Sequence, residues 1–104
     1  MAEIRWSMTA ESDLRQIEEF IAKDSRFHAV NFVGRLVDSA EVLKATPMLG
    51  RIVPEFSRRN LRELLVRQYR VVYLFRNDTV TVLRVVHGAR DLVKLIQREP
   101  WELA

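Results

Sequence analysis

Residues 69–92 read YRVVYLFRNDTVTVLRVVHGARDL, and this stretch decides the fold. Two runs dense in β-branched and aromatic residues, 69–76 and 79–87, flank Asn77-Asp78. Both turn residues tolerate positive φ, so the pair predicts a tight turn and an antiparallel hairpin. Counting outward from the turn pairs position 76 with 79, 74 with 81, 72 with 83 and 70 with 85. One face then carries Tyr69, Val71, Tyr73, Phe75, Val80, Val82, Arg84 and Val86, the better core. The other carries Arg70, Val72, Leu74, Thr81, Leu83, Val85 and His87.

A further strand over about 61–67 precedes the hairpin, with Gln68 at the turn, and adds Leu61, Glu63 and Leu65 to the second face. Near the start of the chain, Glu3 to Met8 alternates polar and apolar, which predicts a strand with Ile4, Trp6 and Met8 on one side. Thr9 is placed to cap a helix whose stripe is Leu14, Ile17, Phe20 and Ile21. After Lys23-Asp24-Ser25 a second helix runs to about residue 45, striped by Phe27, Val30, Val33, Leu36, Val37, Ala40 and Leu43. Phe32 and Val42 fall off that stripe and read either as exposed or edge residues or as part of a partner-binding surface.

Pro47 breaks the helix, and residues 46–60 form a connecting loop with Pro54 and Arg58-Arg59. A last short helix from about Ala89 gathers Leu92, Leu95 and Ile96 and stops before Pro100. Trp6 and Trp101 read as core or terminal anchors. The predicted class is α+β, one domain over residues 1–104, with a mainly antiparallel sheet packed on a helical hairpin.

Charge separates the two halves of the chain. Between residues 51 and 90 nine arginines face three acidic residues, a net of +6; the remainder carries −3, giving the total of +3. Guanidinium forks suit phosphate and carboxylate, so this half expects an anionic partner. On the register above, Arg70 and His87 point to one side at one end of the sheet, and Arg90 follows just beyond. These three form the candidate anion-binding and catalytic group, with His87 able to move a proton. Arg70 could instead pair with Glu63 or the chain terminus, and His87 could be an ordinary hydrogen-bonding strand-end residue.

Other chemistries lack their residues. With no cysteine and only two histidines, a thiolate or histidine metal site has no ligand set, and no disulfide forms. The three glycines stand apart, so there is no glycine-rich phosphate loop. No cofactor and no metal are expected. No run of about 18 apolar residues suggests a membrane span, and the charged start MAEIRWSM lacks a signal-like apolar core. A cytoplasmic location is therefore expected.

The sequence resembles the RelE/ParE superfamily of toxins from bacterial type II toxin–antitoxin systems. Tyr69-Arg70-Val71-Val72-Tyr73 is similar to its Tyr-Arg-aliphatic-Val-Tyr strand. Residues 82–92, Val-Leu-Arg-Val-Val-His-Gly-Ala-Arg-Asp-Leu, are similar to its closing strand and the start of its last helix. Residues 10–14 resemble the opening of its first helix, and residues 51–56 a loop of many members. The resemblance implies the order β-α-α-β-β-β, with a final short helix.

It also implies a function of one of two kinds. In the RelE-like branch, basic residues with a tyrosine or histidine cleave mRNA on the ribosome; Arg70 and Arg90 match its arginines, with His87 as a further catalytic candidate. The paired lysines before Tyr-Arg have no counterpart among residues 61–65, and no tyrosine follows Tyr73. The ParE-like branch shares the fold and poisons DNA gyrase by binding, and residues 86–92 fit its closing pattern better. Either branch implies an addiction or plasmid-stabilisation role and a cognate antitoxin, in a complex such as a heterotetramer. Arg58, Arg59, Arg62, Arg70 and Arg90 are the expected partner-binding cations.

Overall fold

The computed structural model describes residues 1–98. Strand β1 (Glu3–Trp6) leads into helices α1 (Met8–Ala22) and α2 (Arg26–Glu41), the latter extended by a 3₁₀ turn at Val42–Lys44. Strands β2 (Arg51–Ile52), β3 (Leu61–Val66), β4 (Tyr69–Arg76) and β5 (Thr79–His87) follow, then helix α3 (Leu92–Arg98). The sheet order is β1-β5-β4-β3-β2, with β1 parallel to β5 and every other pair antiparallel. The fold is α+β, as the hairpin pattern predicts. Strand β2 lies inside the segment expected to be loop; two residues are too few to show an alternation.

Serines start both helices. Ser7, not Thr9, caps α1: its Oγ accepts the Ala10 N–H at 3.0 Å and donates to the Leu83 carbonyl at 2.9 Å. One hydroxyl thus fixes the helix start to β5. Met8 consequently belongs to the helix and is exposed, not on the β1 face. Ser25 caps α2 by accepting the His28 N–H at 3.2 Å.

The sheet is buried on both sides. Against the helices, Ala10, Ile17, Leu36 and Ala40 pack on Val71, Val82 and Val85. On the opposite side, Val53, Leu61, Val72, Leu74 and Val86 are covered by Leu92 and Leu95. The expected packing of Leu92 and Leu95 is present; the side chain of Ile96 and the stop before Pro100 lie outside the described residues, as does Trp101. On α2 the apolar stripe is rotated from the expected one. Phe27 and Val30 are largely exposed, whereas Phe32 packs into the helix-side core and meets the Tyr69 ring at 5.5 Å.

The hairpin register holds from the turn through Tyr73–Val82, then shifts at a bulge. Asn77 and Asp78 both have positive φ, 53° and 60°, as expected for the turn. Beyond the bulge Val72 pairs with Arg84, Val71 with Val85, Arg70 with Val86 and Tyr69 with His87. One extra residue reverses the faces of the strand end. Val85 therefore joins the helix-side core and Val86 the opposite one, the reverse of the simple count.

The bulge coincides with the place where β5 loses its neighbour. Beyond Trp6 no strand among the described residues flanks β5 on that side, and Asp13 of α1 takes its place. Its carboxylate accepts the Val85 N–H at 2.9 Å and both Nε and Nη2 of Arg84, at 2.9 and 3.1 Å. Asp13 lies in the second turn of α1, beyond the first-turn acid Glu11. It satisfies a buried edge donor and a buried guanidinium together.

Candidate functional site

Arg70 sits near the end of β4 on the side away from the helices, with its side chain 7% exposed. Its Nε donates to Glu63 Oε1 at 2.6 Å. Its two terminal nitrogens form a fork to both oxygens of Glu55, at 2.8 and 2.7 Å. Glu63 is completely buried and also accepts from Arg51 Nε at 2.6 Å, so two guanidiniums share one carboxylate.

Local structure explains each position. Arg51 and Glu63 are cross-strand partners in the β2–β3 pair, and Glu63 lies diagonal to Arg70 across β3–β4. A tight turn brings Glu55 over Arg70: Val53 O accepts from Phe56 N and Ser57 N, and Ser57 has φ 51°. The Arg70 fork holds the Glu55 carboxyl below its ordinary value of 4.5; burial opposes this and loses. Glu55, followed by Glu63, raises the Arg70 guanidinium in return, so Arg70 stays charged.

A neighbouring anchor sets the loop. The Tyr73 hydroxyl donates to Pro47 O at 2.7 Å and accepts the Gly50 N–H at 2.9 Å. Burial pushes this phenol above its usual 10.0, while the Gly50 N–H and the Arg62 charge pull it down. A Cβ at Gly50 would lie 2.6 Å from the Glu63 carbonyl and 2.7 Å from the Tyr73 hydroxyl oxygen, so only glycine fits. Arg62 reinforces the same loop, donating to the carbonyls of Arg59, Met48 and Gly50.

A cleft of about 500 Å³ opens over this end of the sheet, bordered by Arg51, Glu55, Arg70 and His87. The expected grouping of Arg70, His87 and Arg90 on one face is corrected here. Arg70 and His87 share the sheet end, but the bulge turns His87 to the face of its partner Tyr69, with ring centroids 5.6 Å apart. His87 is exposed, and its Nδ1 accepts the Ala89 N–H at 3.1 Å. In the neutral ring the proton then resides on Nε2. Arg90 is exposed in the following turn, held by its N–H to the His87 carbonyl.

Among the expected partner-binding cations, Arg59 and Arg90 are exposed and Arg58 is half-buried. Arg62 and Arg70 direct donors into the chain itself. Glu55 was not foreseen as part of the site; its one sequence signal is that it is a rare acid within the basic half. Among the described residues no group of three or more His, Asp or Glu side chains is placed to hold a metal ion. No helix among them is long and apolar enough to cross a membrane.

Comparison with known proteins agrees with this architecture. The family model of the ParE toxin of the type II toxin–antitoxin system parDE matches residues 4–92. Toxin RelE2 of Caulobacter vibrioides is 32% identical over 91 residues, covering 86% of this chain and 99% of that protein. Among solved structures, the chromosomal ParDE system of P. aeruginosa aligns with a TM-score of 0.70 at 18% identity, over 84% of this chain and 96% of that one. The toxin–antitoxin complex RelBE2 of Mycobacterium tuberculosis aligns with a TM-score of 0.61 at 22% identity, over 83% and 96%. Both show the same fold. With the family model spanning nearly all of the sheet and both long helices, the chain belongs to the ParE toxin family of type II toxin–antitoxin systems.

Proposed function

We propose that this toxin acts by binding DNA gyrase, and does so without cutting RNA. The observation that carries this reading is the state of Arg70. Phosphodiester cleavage needs a cation free to meet the developing charge at phosphorus and a base for the attacking hydroxyl. Arg70 is buried and forked onto Glu55 and Glu63. The four charges Arg51, Glu55, Glu63 and Arg70 sum to zero, so the guanidinium of Arg70 is already compensated within the chain, and the cation left over at that cleft is Arg67 at its rim. His87 has its Nδ1 lone pair engaged by Ala89 N–H and stands on the other face. That geometry suits a protein-binding surface better than a nuclease centre.

A cognate antitoxin is part of the same proposal, because the structural relatives occur in toxin–antitoxin complexes. Exposed Arg59 and Arg90, together with Arg58, suit an acidic antitoxin segment. Induction in a heterologous bacterium tests the gyrase reading. Gyrase supercoiling in the lysate and with purified protein should fall, DNA damage should appear, and transcripts should stay intact. Translation-dependent cuts in mapped transcript ends would overturn it.

One observation favours the ribosome-dependent nuclease instead: Arg51, Arg70 and His87 do border a single cleft. On that reading the Arg70→Ala/Arg90→Ala double variant loses all transcript cutting.

A further inference from the structure

A second cleft, of about 680 Å³, opens between the helical hairpin and the β3–β4 turn. On α2 its wall is His28, Asn31, Phe32 and Arg35, the i, i+3, i+4, i+7 spacing of one helix face. The turn contributes Arg67 and Gln68, and Phe20 closes the end of α1. None of the residues lining it is acidic. Arg35 and Arg67 make no side-chain hydrogen bond or ion pair among the described residues, in contrast to Arg51, Arg62, Arg70 and Arg84. Arg67 is held out by the backbone of the turn, at φ 54°.

Two uncompensated guanidiniums facing one cleft call for an anion, and their fork geometry suits phosphate. The walls specify more. Phe32 and Tyr69 pack at 5.5 Å as an aromatic floor, and Phe20, 63% exposed, stands as a ring at the rim. The amides of Asn31 and Gln68 each supply donors and an acceptor. Cations beside aromatic rings, with amides able to read an edge, are the elements by which proteins hold an unpaired base and its phosphate. An acidic peptide would satisfy the guanidiniums, but it has no equal use for planar walls and paired amides.

We propose that this cleft binds a nucleotide unit, a phosphate with its adjoining base. Arg35 and Arg67 take the phosphate, and the base lies against Phe20 and the Phe32–Tyr69 floor. The cleft adjoins the Arg70 cleft and shares Arg67, Gln68 and Tyr69 with it, whereas Arg35, Phe20 and Phe32 line this cleft alone; the proposal holds whether or not gyrase is the target.

The test uses the full chain and equilibrium binding at low salt. The probes are AMP, ATP, and labelled short oligo(dT) and oligo(U). The Arg35→Glu/Arg67→Glu variant should bind about tenfold to hundredfold more weakly than the parent, and Phe20→Ala should weaken binding less. Arg15→Glu/Arg76→Glu, which reverses two exposed arginines outside both clefts and changes net charge equally, should leave affinity within about twofold of the salt-matched parent. For the oligonucleotides, log affinity should fall with log salt by about 0.7 per phosphate contact, and the slope should flatten in the Arg35/Arg67 variant. Equal binding of AMP and the oligomers identifies a free nucleotide as the ligand; binding of the oligomers alone identifies a strand. Absence of binding by all four probes, or equal losses in the two charge-reversed pairs, overturns the proposal. So does capture of a Glu-Phe repeat peptide that no nucleotide displaces.

Discussion

Arg84 and Arg70 lie on adjacent strands, and both are buried against carboxylates, at 6% and 7% side-chain exposure. Their settings differ in the carboxylates that face them and in what lies beyond. Arg84 shares one aspartate with a backbone N–H, at a point where the sheet edge would otherwise be open. Arg70 is divided between two glutamates, one fully buried and one 29% exposed at the lip of a cleft. The first arrangement completes the fold. The second keeps a charge at the surface of a cleft while neutralising it. Burial alone does not separate a structural arginine from one at a site; the exposure of its counter-ion does.

The comparison can be broken most decisively at Asp13. Asp13→Ala takes the carboxylate away from both Arg84 and the Val85 N–H, and should cost about 3–5 kcal/mol of unfolding free energy. A urea titration that finds less than about 1 kcal/mol would remove the claim that this pair holds the edge. A smaller effect sharpens the other side. Tyr73→Phe deletes the hydroxyl that fixes the loop beside Glu63, at an expected cost of about 1–2 kcal/mol. Hydrogen exchange should locate that loss at residues 46–56, with the Asp13–Arg84 region unaffected.

The smallest effect is expected at Glu55, and it depends on pH. Its folded-state pKa lies below the ordinary 4.5. Its contribution is therefore present above about 4.5 and lost as pH falls through the folded value. Glu55→Gln should be less stable than the parent by about 1 kcal/mol at neutral pH, and the two should converge in acid. Urea midpoints compared at neutral and strongly acidic pH check this. A difference that persists undiminished in acid would mean that Glu55 does not hold Arg70 as a carboxylate.

The hairpin was legible because two turn residues and two alternating runs are local signals, and the strands at 69–76 and 79–87 fall where they were expected. The diagonal between Glu63 and Arg70 follows from the same register. The bulge was not read, and it misplaced Val85, Val86 and His87 together. A trace of it exists in the sequence: apolar residues at 80 and 82 resume at 85 and 86, so the alternation slips across Leu83-Arg84. On α2 the apolar residues surround the helix, and periodicity could not choose between Phe27 and Phe32. Tertiary packing against Tyr69 made that choice. Glu55 belongs to a turn without periodicity, and its reach to Arg70 is a long-range fact that no local pattern encodes.

The parallel pairing of β1 with β5 carries a consequence for how the molecule assembles. The Ser7 hydroxyl meets the Leu83 carbonyl across 76 residues of chain. No nucleus built from nearby segments can include that contact, because the loop-closure entropy must be met first. The β3–β4–β5 meander and the helical hairpin are both local and able to form early. A meander formed before the first strand docks leaves the flank of β5 open until β1 pairs with it. A growing polypeptide therefore stays unfinished as a fold until its final hairpin has been made, and the exposed flank of β5 is where a misfolding partner would attach.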